Sequence, residues 1–348
     1  MLTRSKRKIL FWISVLIFLL LVPVTILYAL GYRVDPDFSL RKTGGLYISS
    51  TFTGSEIFVD KNLQRKTNLL QSGVFIQNLA PKKYGILVLK EGYLPWAKDL
   101  NVKSQFVTEA HALLVPMQTN GKILSRGGFV GIKSSTFDSI LLLSFETKNR
   151  KAIAWYVPDS DEFMSPIPGE SAFTYTKSFE LIRWLDNGAV VKLDGKAIRV
   201  LLDFDNRSAA VASLGEETAV KLPDEEELFN ERINSRKSIK VSFDPLKREL
   251  AAEWLEPEPL PYYFAERAVT LLENKDIRNF EFFPKRREAL IASYGNGIWA
   301  IEIDSRGGRI IQPIYKGKFP DFALPRGLED LYVIDDGILM RVKLNAAD

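Results

Sequence analysis

The amino-acid sequence predicts a mainly β protein that is held by one membrane-spanning helix at its N-terminus. Three observations lead to this fold class. Residues 9–30 form an apolar run without a charge. Residues 44–117 contain short segments in which apolar and polar side chains alternate, as they do in half-buried strands. Residues 121–348 repeat a strand-rich unit at a period of about 40 residues. We therefore expect a helical anchor followed by two β domains.

The apolar run 9–30 is long enough to cross a membrane. Its 22 residues span about 33 Å as a helix, and the hydrocarbon core of a bilayer is about 30 Å thick. Trp12 and Tyr28 lie near its two ends, where amphipathic aromatic rings favour the membrane interface. Pro23 lies inside the run, which membrane helices tolerate. The sequence thus predicts a transmembrane helix with Trp12 and Tyr28 as its interface residues.

Charge around the run predicts how the helix is oriented. Four basic residues and no acidic residue precede it within residues 1–8, whereas Arg33 is accompanied by Asp35 and Asp37 on the other side. Because positive charge is retained on the cytoplasmic side, we expect residues 1–8 to form a cytoplasmic stub. Residues 31–43 are then a linker. The bulk of the chain lies outside the cytoplasm, anchored in the cytoplasmic membrane.

A cleaved signal peptide is the alternative interpretation of the same segment. Ala29 and Gly31 offer small residues at suitable positions for cleavage. The apolar run, however, exceeds the length of about 7–15 residues that is typical of a signal peptide. We therefore favour a retained helix, and a shortened, soluble product would contradict this interpretation.

Composition excludes several classes of function. The net charge of +4 comes from the four basic residues before the helix, because the remaining 43 Lys and Arg residues balance 43 Asp and Glu residues. A neutral body lacks the electrostatic footprint of a nucleic-acid-binding protein, so no nucleic acid partner is expected. The chain has no cysteine, which excludes disulfides, thiolate catalysis and cysteine-ligated metal. No cofactor is predicted.

Residues 44–117 resemble a known small domain. The matching segments are residues 45–50, the Val-Asp turn at residues 59–60, the Lys-x-Gly-Tyr turn at residues 90–93, and Trp96. They are similar to a PEGA domain, although residues 52–55 keep only the glycine of the name-giving Pro-Glu-Gly-Ala motif. The resemblance implies a small PEGA-like β-sandwich that serves as an extracytoplasmic structural or adhesive module. It implies no catalytic residues.

Residues 121–348 repeat a pattern of short strands and turns. The segment 243–252 recurs as 282–291, and the segment 297–303 recurs as 337–343. About five units open near residues 137, 183, 243, 282 and 322. These units resemble the degenerate blades of TolB-like and WD-type propellers, which implies a β-propeller of about five blades. A closed ring is favoured because a single four-stranded blade leaves both faces exposed, whereas blades in a ring cover one another.

Two insertions interrupt the repeat. Residues 223–234 carry a proline and acidic residues in their first turn, which predicts a short helix. Residues 256–263 are rich in proline and predict an extended surface loop. Tyr262 and Tyr263 end this loop, and aromatic rings on a stiff segment lose little entropy on binding. We name these two tyrosines as a candidate partner contact, with a plain surface loop as the simpler alternative.

The sequence nominates no catalytic, cofactor-binding or metal residue. His111 is the only histidine and lies in an alternating pattern, which favours a half-exposed strand residue over a catalytic one. The acidic runs at residues 159–162 and 203–206 offer carboxylates to calcium but lack the spacing of an EF-hand loop, so we interpret them as turns. Four tryptophans recur at similar positions in the repeats, which favours core packing over sugar stacking: Trp155, Trp184, Trp254 and Trp299.

These features predict a non-enzymatic protein of the cell envelope. We expect the helix to lie in the lipid bilayer and the β domains to bind a protein or glycan of the envelope as a scaffold. The alternative is a propeller-based hydrolase or lyase that acts on envelope polysaccharide, which requires clustered carboxylates in a pocket of the propeller. A sensor that signals inward is disfavoured because residues 1–8 offer almost nothing to signal with.

Overall fold

The computed structural model describes residues 4–34, 39–119, 121–147, 150–164, 173–203, 208–213 and 230–344. Within these ranges the chain forms one helix and many short strands. It divides into two compact units. The first contains Met1–Glu91, Pro95–Leu114 and Arg306–Gly308, and the second contains Gly92–Leu94, Val115–Ser305 and Arg309–Asp348. The protein is mainly β with one N-terminal apolar helix, as predicted.

The N-terminal apolar run forms the helix α1, Arg4–Ala29. Its apolar part, Lys6–Ala29, has no buried residue in its most hydrophobic stretch and has the length and composition to cross a membrane. The helix ends before Gly31, whose φ of +81° is a left-handed conformation that favours glycine. The Gly31 N–H donates to the Tyr28 carbonyl at 3.1 Å and closes the last turn. An exposed apolar N-terminal helix is thus confirmed, and its role as a membrane anchor stays a prediction.

The predicted linker 31–43 contains a short pair of antiparallel strands. β1 (Tyr32–Val34) pairs with β2 (Leu40–Lys42), with Arg33 opposite Arg41. Residues 35–38 between them lie outside the described residues. The described part of this linker is therefore held by its own backbone pairing.

Seven strands form two sheets in the first unit. They are β3 (Gly44–Ser50), β4 (Glu56–Val59), β5 (Asn62–Lys66), β6 (Gly73–Leu79), β7 (Lys83–Leu89), β8 (Trp96–Asn101) and β9 (Val107–Ala112). One sheet has the order β6-β3-β9 and the other has the order β5-β4-β7-β8. In β8 every second side chain is buried, as expected of a strand with one face toward a core. Leu46, Ile57 and Trp96 are among the fully buried residues of this unit.

The second unit consists of consecutive antiparallel sheets. Its strands are β10 (Gly121–Ser134), β11 (Leu141–Thr147), β12 (Arg150–Val157), β13 (Glu162–Met164), β14 (Thr174–Thr176), β15 (Phe179–Leu185), β16 (Gly188–Leu193), β17 (Lys196–Asp203), β18 (Ser208–Ser213), β19 (Glu231–Ile233), β20 (Ile239–Asp244), β21 (Glu249–Trp254), β22 (Ala268–Leu272), β23 (Ile277–Phe282), β24 (Ala289–Tyr294), β25 (Gly297–Glu302), β26 (Ile311–Lys316), β27 (Asp321–Ala323), β28 (Leu331–Asp335) and β29 (Gly337–Val342). Three four-stranded sheets follow one another, β15-β16-β17-β18, β19-β20-β21-β22 and β23-β24-β25-β26. The strands β10 to β14 and β27 to β29 join in one larger sheet.

The long strand β10 explains the larger sheet. Its first part pairs with β29, from Gly121 opposite Val342 to Phe129 opposite Gly337. Its last part, from Phe129 to Ser134, pairs with β11. β10 is therefore both the fourth strand of the sheet β27-β28-β29 and the first strand of the next sheet. The described strands thus form five blades, and the first strand closes them by pairing with the last. This is propeller topology, and the blade number matches the predicted repeat.

Hydrophobic clusters fill the space between neighbouring blades. The clusters join Leu143 to Leu339, Trp155 to Val191, and Leu250 to Leu290. Consecutive residues of β11 point to opposite neighbours, since Leu142 belongs to the cluster with the second blade and Leu143 to the cluster with the last. Each such leucine contributes about 1.5–3 kcal/mol by burial. Packing on both faces therefore holds the first blade between its two neighbours, and the third and fourth blades pack on each other.

The blade boundaries differ from the predicted openings. The third unit was expected to open near residue 243, but its first strand is β19, and residue 243 lies on its second strand, β20. The helix predicted for residues 223–234 is wrong at residues 231–233, because pairing with β20 makes these residues a strand despite the helix-start signals before them. Asn230 is helical, as predicted, and residues 223–229 lie outside the described residues.

The pairing of β10 with β29 generates a testable prediction. Lys122 lies directly opposite Arg341, and Cα atoms of such antiparallel partners are about 4.5–5.5 Å apart, within the range that a disulfide bridges. Because the chain has no cysteine of its own, the double variant Lys122→Cys, Arg341→Cys should form a single intramolecular disulfide on oxidation. A shift in mobility on a non-reducing gel, reversed by reductant, measures it.

The control pair is Lys122→Cys with Lys247→Cys. Lys247 lies in the turn after β20, in a different blade. It should give no bridge. Equal bridging in the two pairs, or no bridge in the first pair, would contradict closure of the propeller by β10.

Candidate functional site

A cleft with a volume of about 390 Å³ opens on the first blade. It lies between the loop that joins β10 to β11 and the turn that joins β12 to β13. Its polar wall consists of three carboxylates and two hydroxyls, on Asp138, Asp159, Glu162, Ser139 and Ser160. Its apolar wall consists of Ile140, Val157 and Met164. The cleft is therefore a concave site lined by both acidic and hydrophobic side chains.

Ser135 shapes the first of these two loops. Its Oγ accepts hydrogen bonds from the N–H groups of Phe137 and Asp138, each at 3.1 Å, and its own N–H donates to the Ile140 carbonyl at 2.9 Å. A serine hydroxyl that accepts two backbone N–H groups fixes a tight turn. The buried Ser135 thereby sets where Asp138 and Ser139 project.

Hydrogen bonds from outside the loop hold two of the carboxylates. Asp138 Oδ2 accepts the N–H of Asn187, in the β15–β16 turn of the second blade, at 3.0 Å. Ser139 Oγ donates to Asp159 Oδ2 at 3.1 Å and joins the two loops of the cleft. These contacts orient the carboxylates before any ligand arrives, which lowers the entropy lost on binding.

Asp161 lies in the same β12–β13 turn but serves to hold that turn. Tyr156 Oη donates to Asp161 Oδ1 at 2.5 Å, and Lys122 Nζ donates to Asp161 Oδ2 at 3.1 Å. The Tyr156 hydroxyl and then Lys122 lower the pKa of the Asp161 carboxyl. Burial, together with the hydrogen bond to Asp161, raises the pKa of Tyr156. Asp161 is thus committed to protein partners in the turn predicted for residues 159–162.

A calcium site gains no support from this turn. Among the described residues no group of three or more Asp, Glu or His side chains is arranged to hold a metal ion. Residues 204–207, which include most of the second acidic run, lie outside the described residues. The acidic wall of the cleft instead suits donors of hydrogen bonds, such as an ammonium or guanidinium group or the hydroxyls of a sugar.

A second polar cluster joins the first strands of four blades. Arg232 Nε of β19 donates to Glu281 Oε2 of β23 at 3.2 Å. Asn279 Nδ2 of β23 donates to the Phe322 carbonyl of β27 at 2.7 Å. Ser134 Oγ of β10 donates to the Leu324 carbonyl, just after β27, at 3.1 Å. Consecutive first strands are therefore linked side to side by polar side chains.

Asp321 is the most deeply buried carboxyl of this cluster. Its Oδ1 accepts the Phe322 N–H at 2.8 Å and the Ser293 hydroxyl at 3.1 Å. Burial raises the pKa of Asp321, and these two hydrogen bonds only partly oppose the shift. The ionised form of Asp321 is therefore disfavoured in the folded protein.

The two tyrosines predicted as a partner contact occupy different positions from those expected. Tyr263 is 8% exposed and belongs to the hydrophobic cluster between the third and fourth blades, where its ring packs on Phe264. The expectation of an exposed pair is wrong for Tyr263, because the loop turns inward after its prolines. Tyr262 is partly buried against the same cluster. Its predicted role as a partner contact stays a prediction.

The other residues singled out in the sequence lie in ordinary settings. Trp12 and Tyr28 are exposed on α1 near the two ends of the apolar run 9–30, and their role at a membrane interface stays a prediction. His111 is half-buried on β9, and its Nδ1 is hydrogen-bonded to Ser49 Oγ of the neighbouring strand β3. Trp155 and Trp254 are buried in the clusters between blades, as predicted.

Sequence reasoning missed the cleft and the cluster of first strands. Asp138 and Ser139 are separated from Asp159 by a complete hairpin, and no short motif connects them. Asn279 and Asp321 lie within strands whose alternation gave no reason to single them out. The repeat itself was the available signal, since equivalent positions of neighbouring units lie side by side in a ring.

Comparison with known proteins gives no family. No protein-family model and no curated protein matches the chain. Among solved structures, the chain is similar to the Cps50 (Swd1) β-propeller domain of Myceliophteria thermophila, with 8% identity, 75% of this chain and 93% of that chain covered, and a TM-score of 0.31. It is also similar to the Dos1 propeller, with 10% identity, 76% and 66% coverage and a TM-score of 0.26. These scores are too low to bear on function, and the propeller topology rests on the strand pairing.

Asp321 generates a prediction about pH. Because the pKa of Asp321 is higher in the folded protein than in the unfolded chain, Asp321 stabilises the fold when it is protonated. This contribution is complete below the unfolded-state pKa of about 3.9 and is lost as pH rises through the higher folded-state pKa. The thermal stability of the variant Asp321→Asn should therefore increase relative to that of the wild type as pH rises from about 4 to about 8. We expect the difference in Tm to grow by about 2 °C or more, which corresponds to about 1 kcal/mol in a domain of this size.

The variant Asp244→Asn is the control of opposite sign. Asp244 Oδ1 accepts the Lys247 N–H at 3.0 Å and the Leu246 N–H at 2.9 Å, and these bonds lower its pKa. Its contribution is present above the unfolded pKa and is lost as pH falls. The variant Asp244→Asn should thus be less stable than the wild type at high pH, and the difference should shrink as pH falls. The same pH trend in both variants would contradict the assignment for Asp321.

Proposed function

We propose that this chain is a non-enzymatic cell-envelope protein in which a single-pass helix anchors two β units outside the cytoplasm. The observation that carries the proposal is α1, whose apolar run 9–30 carries no charge and whose most hydrophobic stretch has no buried residue. In water such a surface costs about 25 cal/mol per Å² of apolar area. A helix of this kind therefore needs a lipid environment, and the basic residues before it favour the cytoplasm for its N-terminus.

The first unit supports an extracytoplasmic scaffold through its resemblance to PEGA domains. The segment 45–50 lies on β3, and the Val-Asp turn leads into Asp60 and Lys61, which both have the positive φ of a tight hairpin turn. The turn at residues 90–93 has its positive φ at Gly92. Two of the residues that carry the resemblance, Asp60 and Gly92, thus lie at turns with positive φ. We propose that this unit serves as a structural or adhesive module.

The second unit supports binding through its acidic cleft. Asp138 and Asp159 are oriented by hydrogen bonds from the protein itself. Ile140, Val157 and Met164 of the same cleft offer apolar contact. Such a cleft fits a basic side chain of a protein or the hydroxylated and apolar faces of a glycan. A protein or glycan of the envelope is the proposed partner.

The anchor and its orientation can be tested with single-cysteine variants, because the chain has no cysteine. Leu246, which is 95% exposed in the turn after β20, should react as Leu246→Cys with a membrane-impermeant maleimide on intact cells. The matched variant Ser5→Cys, before the apolar run, should react only after permeabilisation. Both should remain in the membrane fraction after alkaline carbonate treatment and should enter solution with detergent.

Three results would contradict this proposal. Labelling of Ser5→Cys on intact cells would reverse the orientation. Release of a shortened chain by carbonate would identify residues 9–30 as a cleaved signal peptide. Release of the full-length chain by carbonate would show that the helix does not span the membrane.

A propeller-based hydrolase or lyase that acts on envelope polysaccharide is the second candidate. The observation that favours this enzyme is that the cleft gathers three carboxylates. Both retaining and inverting glycoside hydrolysis require a pair of carboxylates. If it is correct, the full chain in detergent should release reducing ends from envelope polysaccharide, and Asp138→Asn or Glu162→Gln should lower the rate by about 100-fold or more. We expect no turnover above that of a mock preparation.

A further inference from the structure

The C-terminal end of α1 is hydrogen-bonded to the first β unit. The Gly31 carbonyl, two residues after the helix, accepts the Thr43 N–H at 2.9 Å and the Thr43 hydroxyl at 3.0 Å. Thr43 is buried and directly precedes β3. The start of the first sheet therefore lies within hydrogen-bonding distance of the point where the apolar helix ends.

The loop between β8 and β9 meets the same point. The Gln105 N–H donates to the Thr43 carbonyl at 2.8 Å, and Gln105 Nε2 approaches the Leu30 carbonyl at 3.4 Å. Leu30 is the last residue of the apolar run. Phe106 follows directly after Gln105 and is 68% exposed. An exposed aromatic ring is thus placed beside the end of the helix, where a membrane interface would lie.

Further apolar side chains are exposed at the same end of the unit. Val34 of β1 and Leu40 of β2 are cross-strand partners, and they are 63% and 55% exposed. Both lie within a few residues of Leu30 along the chain or across the strand pair. Val34, Leu40 and Phe106 are thus three exposed apolar side chains on segments that adjoin the end of the helix.

Basic residues lie in the same segments as these apolar side chains. The Arg33 guanidinium lies 3.6 Å from the centroid of the Tyr28 ring, and Arg33 Nη1 donates to the Tyr28 and Tyr32 carbonyls at 2.9 and 2.7 Å. Lys42 Nζ lies 5.3 Å from the centroid of the Tyr32 ring. Arg41, which follows Leu40, and Lys103, three residues before Phe106, are exposed. The segment between β1 and β2 also holds two acidic residues, Asp35 and Asp37, which lie outside the described residues.

We propose that these residues form a membrane-contact collar, defined as Val34, Leu40 and Phe106 with Arg33, Arg41, Lys42 and Lys103. The collar seats the first β unit on phospholipid headgroups: the apolar side chains enter the interface and the cations face the phosphates. The proposal rests on the anchoring proposed above. It adds that the unit beside the helix binds the membrane surface and does not move freely on a tether.

The test uses a fluorescent label on single cysteines of the full chain. Phe106→Cys and Leu70→Cys are labelled with bimane and reconstituted in vesicles of phosphatidylcholine and phosphatidylglycerol that carry a nitroxide quencher near the headgroup. Leu70 is 95% exposed in the same unit, beyond the far end of β3, where Ser50 bonds to Ser72. That end is about 20 Å from Gly44. We expect quenching at the Phe106 position to be at least about threefold stronger than at the Leu70 position.

A charge-neutral variant tests the role of the cations. Arg33→Gln, Arg41→Gln, Lys42→Gln and Lys103→Gln are combined with Phe106→Cys, and quenching should fall toward the value at the Leu70 position. Equal quenching at the two positions in the parent chain would overturn the collar. Unchanged quenching in the neutral variant would overturn the contact with phosphates. Before quenching is measured, the vesicles are separated by flotation. A protein that does not float with them would overturn the anchor, and this result is separate from the two quenching results.

Discussion

The pairing of β10 with β29 is the constraint on which the second unit depends. A four-stranded sheet has two faces to bury and two edges with unpaired backbone groups, and both are costly when exposed. Consecutive blades bury each other's faces, but only contact between the first and the last blade completes the set. β10 provides it by continuing from one blade into the next, so that Phe129 is paired on one side with Gly337 and on the other with Phe145.

Polar contacts between first strands complete what hydrophobic packing begins. The bonds from Arg232 to Glu281, from Asn279 to Phe322 and from Ser134 to Leu324 each connect one first strand to the next. Directional bonds of this kind fix the position of one first strand along the next, whereas hydrophobic packing alone would allow the strands to slide past each other. The burial of Asp321 opposes its ionisation and so works against stability at neutral pH. That cost is consistent with strands selected for exact mutual placement as well as for stability.

The fold was more predictable from the sequence than the site. Period and alternation predicted the helix, the strands and five repeats, because these depend on local spacing. The dual role of β10 was not predictable, since a strand shared between two blades has no counterpart in the repeat. The helix expected at residues 223–234 failed at β19 because pairing with β20 outweighed local preference. The cleft was not predicted because Asp138, Asp159 and Asn187 are distant in the sequence and come together only in the folded chain.

The structure around Gly31 bears on whether the apolar segment is retained. Cleavage near Ala29 requires an extended chain that a peptidase can bind, but residues 30 and 31 form a turn in which Leu30 N–H bonds to the Ile26 carbonyl at 2.9 Å. The Gly31 carbonyl is engaged twice by Thr43, which is itself buried. In the folded first unit the residues after Ala29 are therefore held in a turn and not in the extended form that a peptidase binds. Retention thus depends on whether the chain is cleaved before this unit folds, and the proposed collar requires retention.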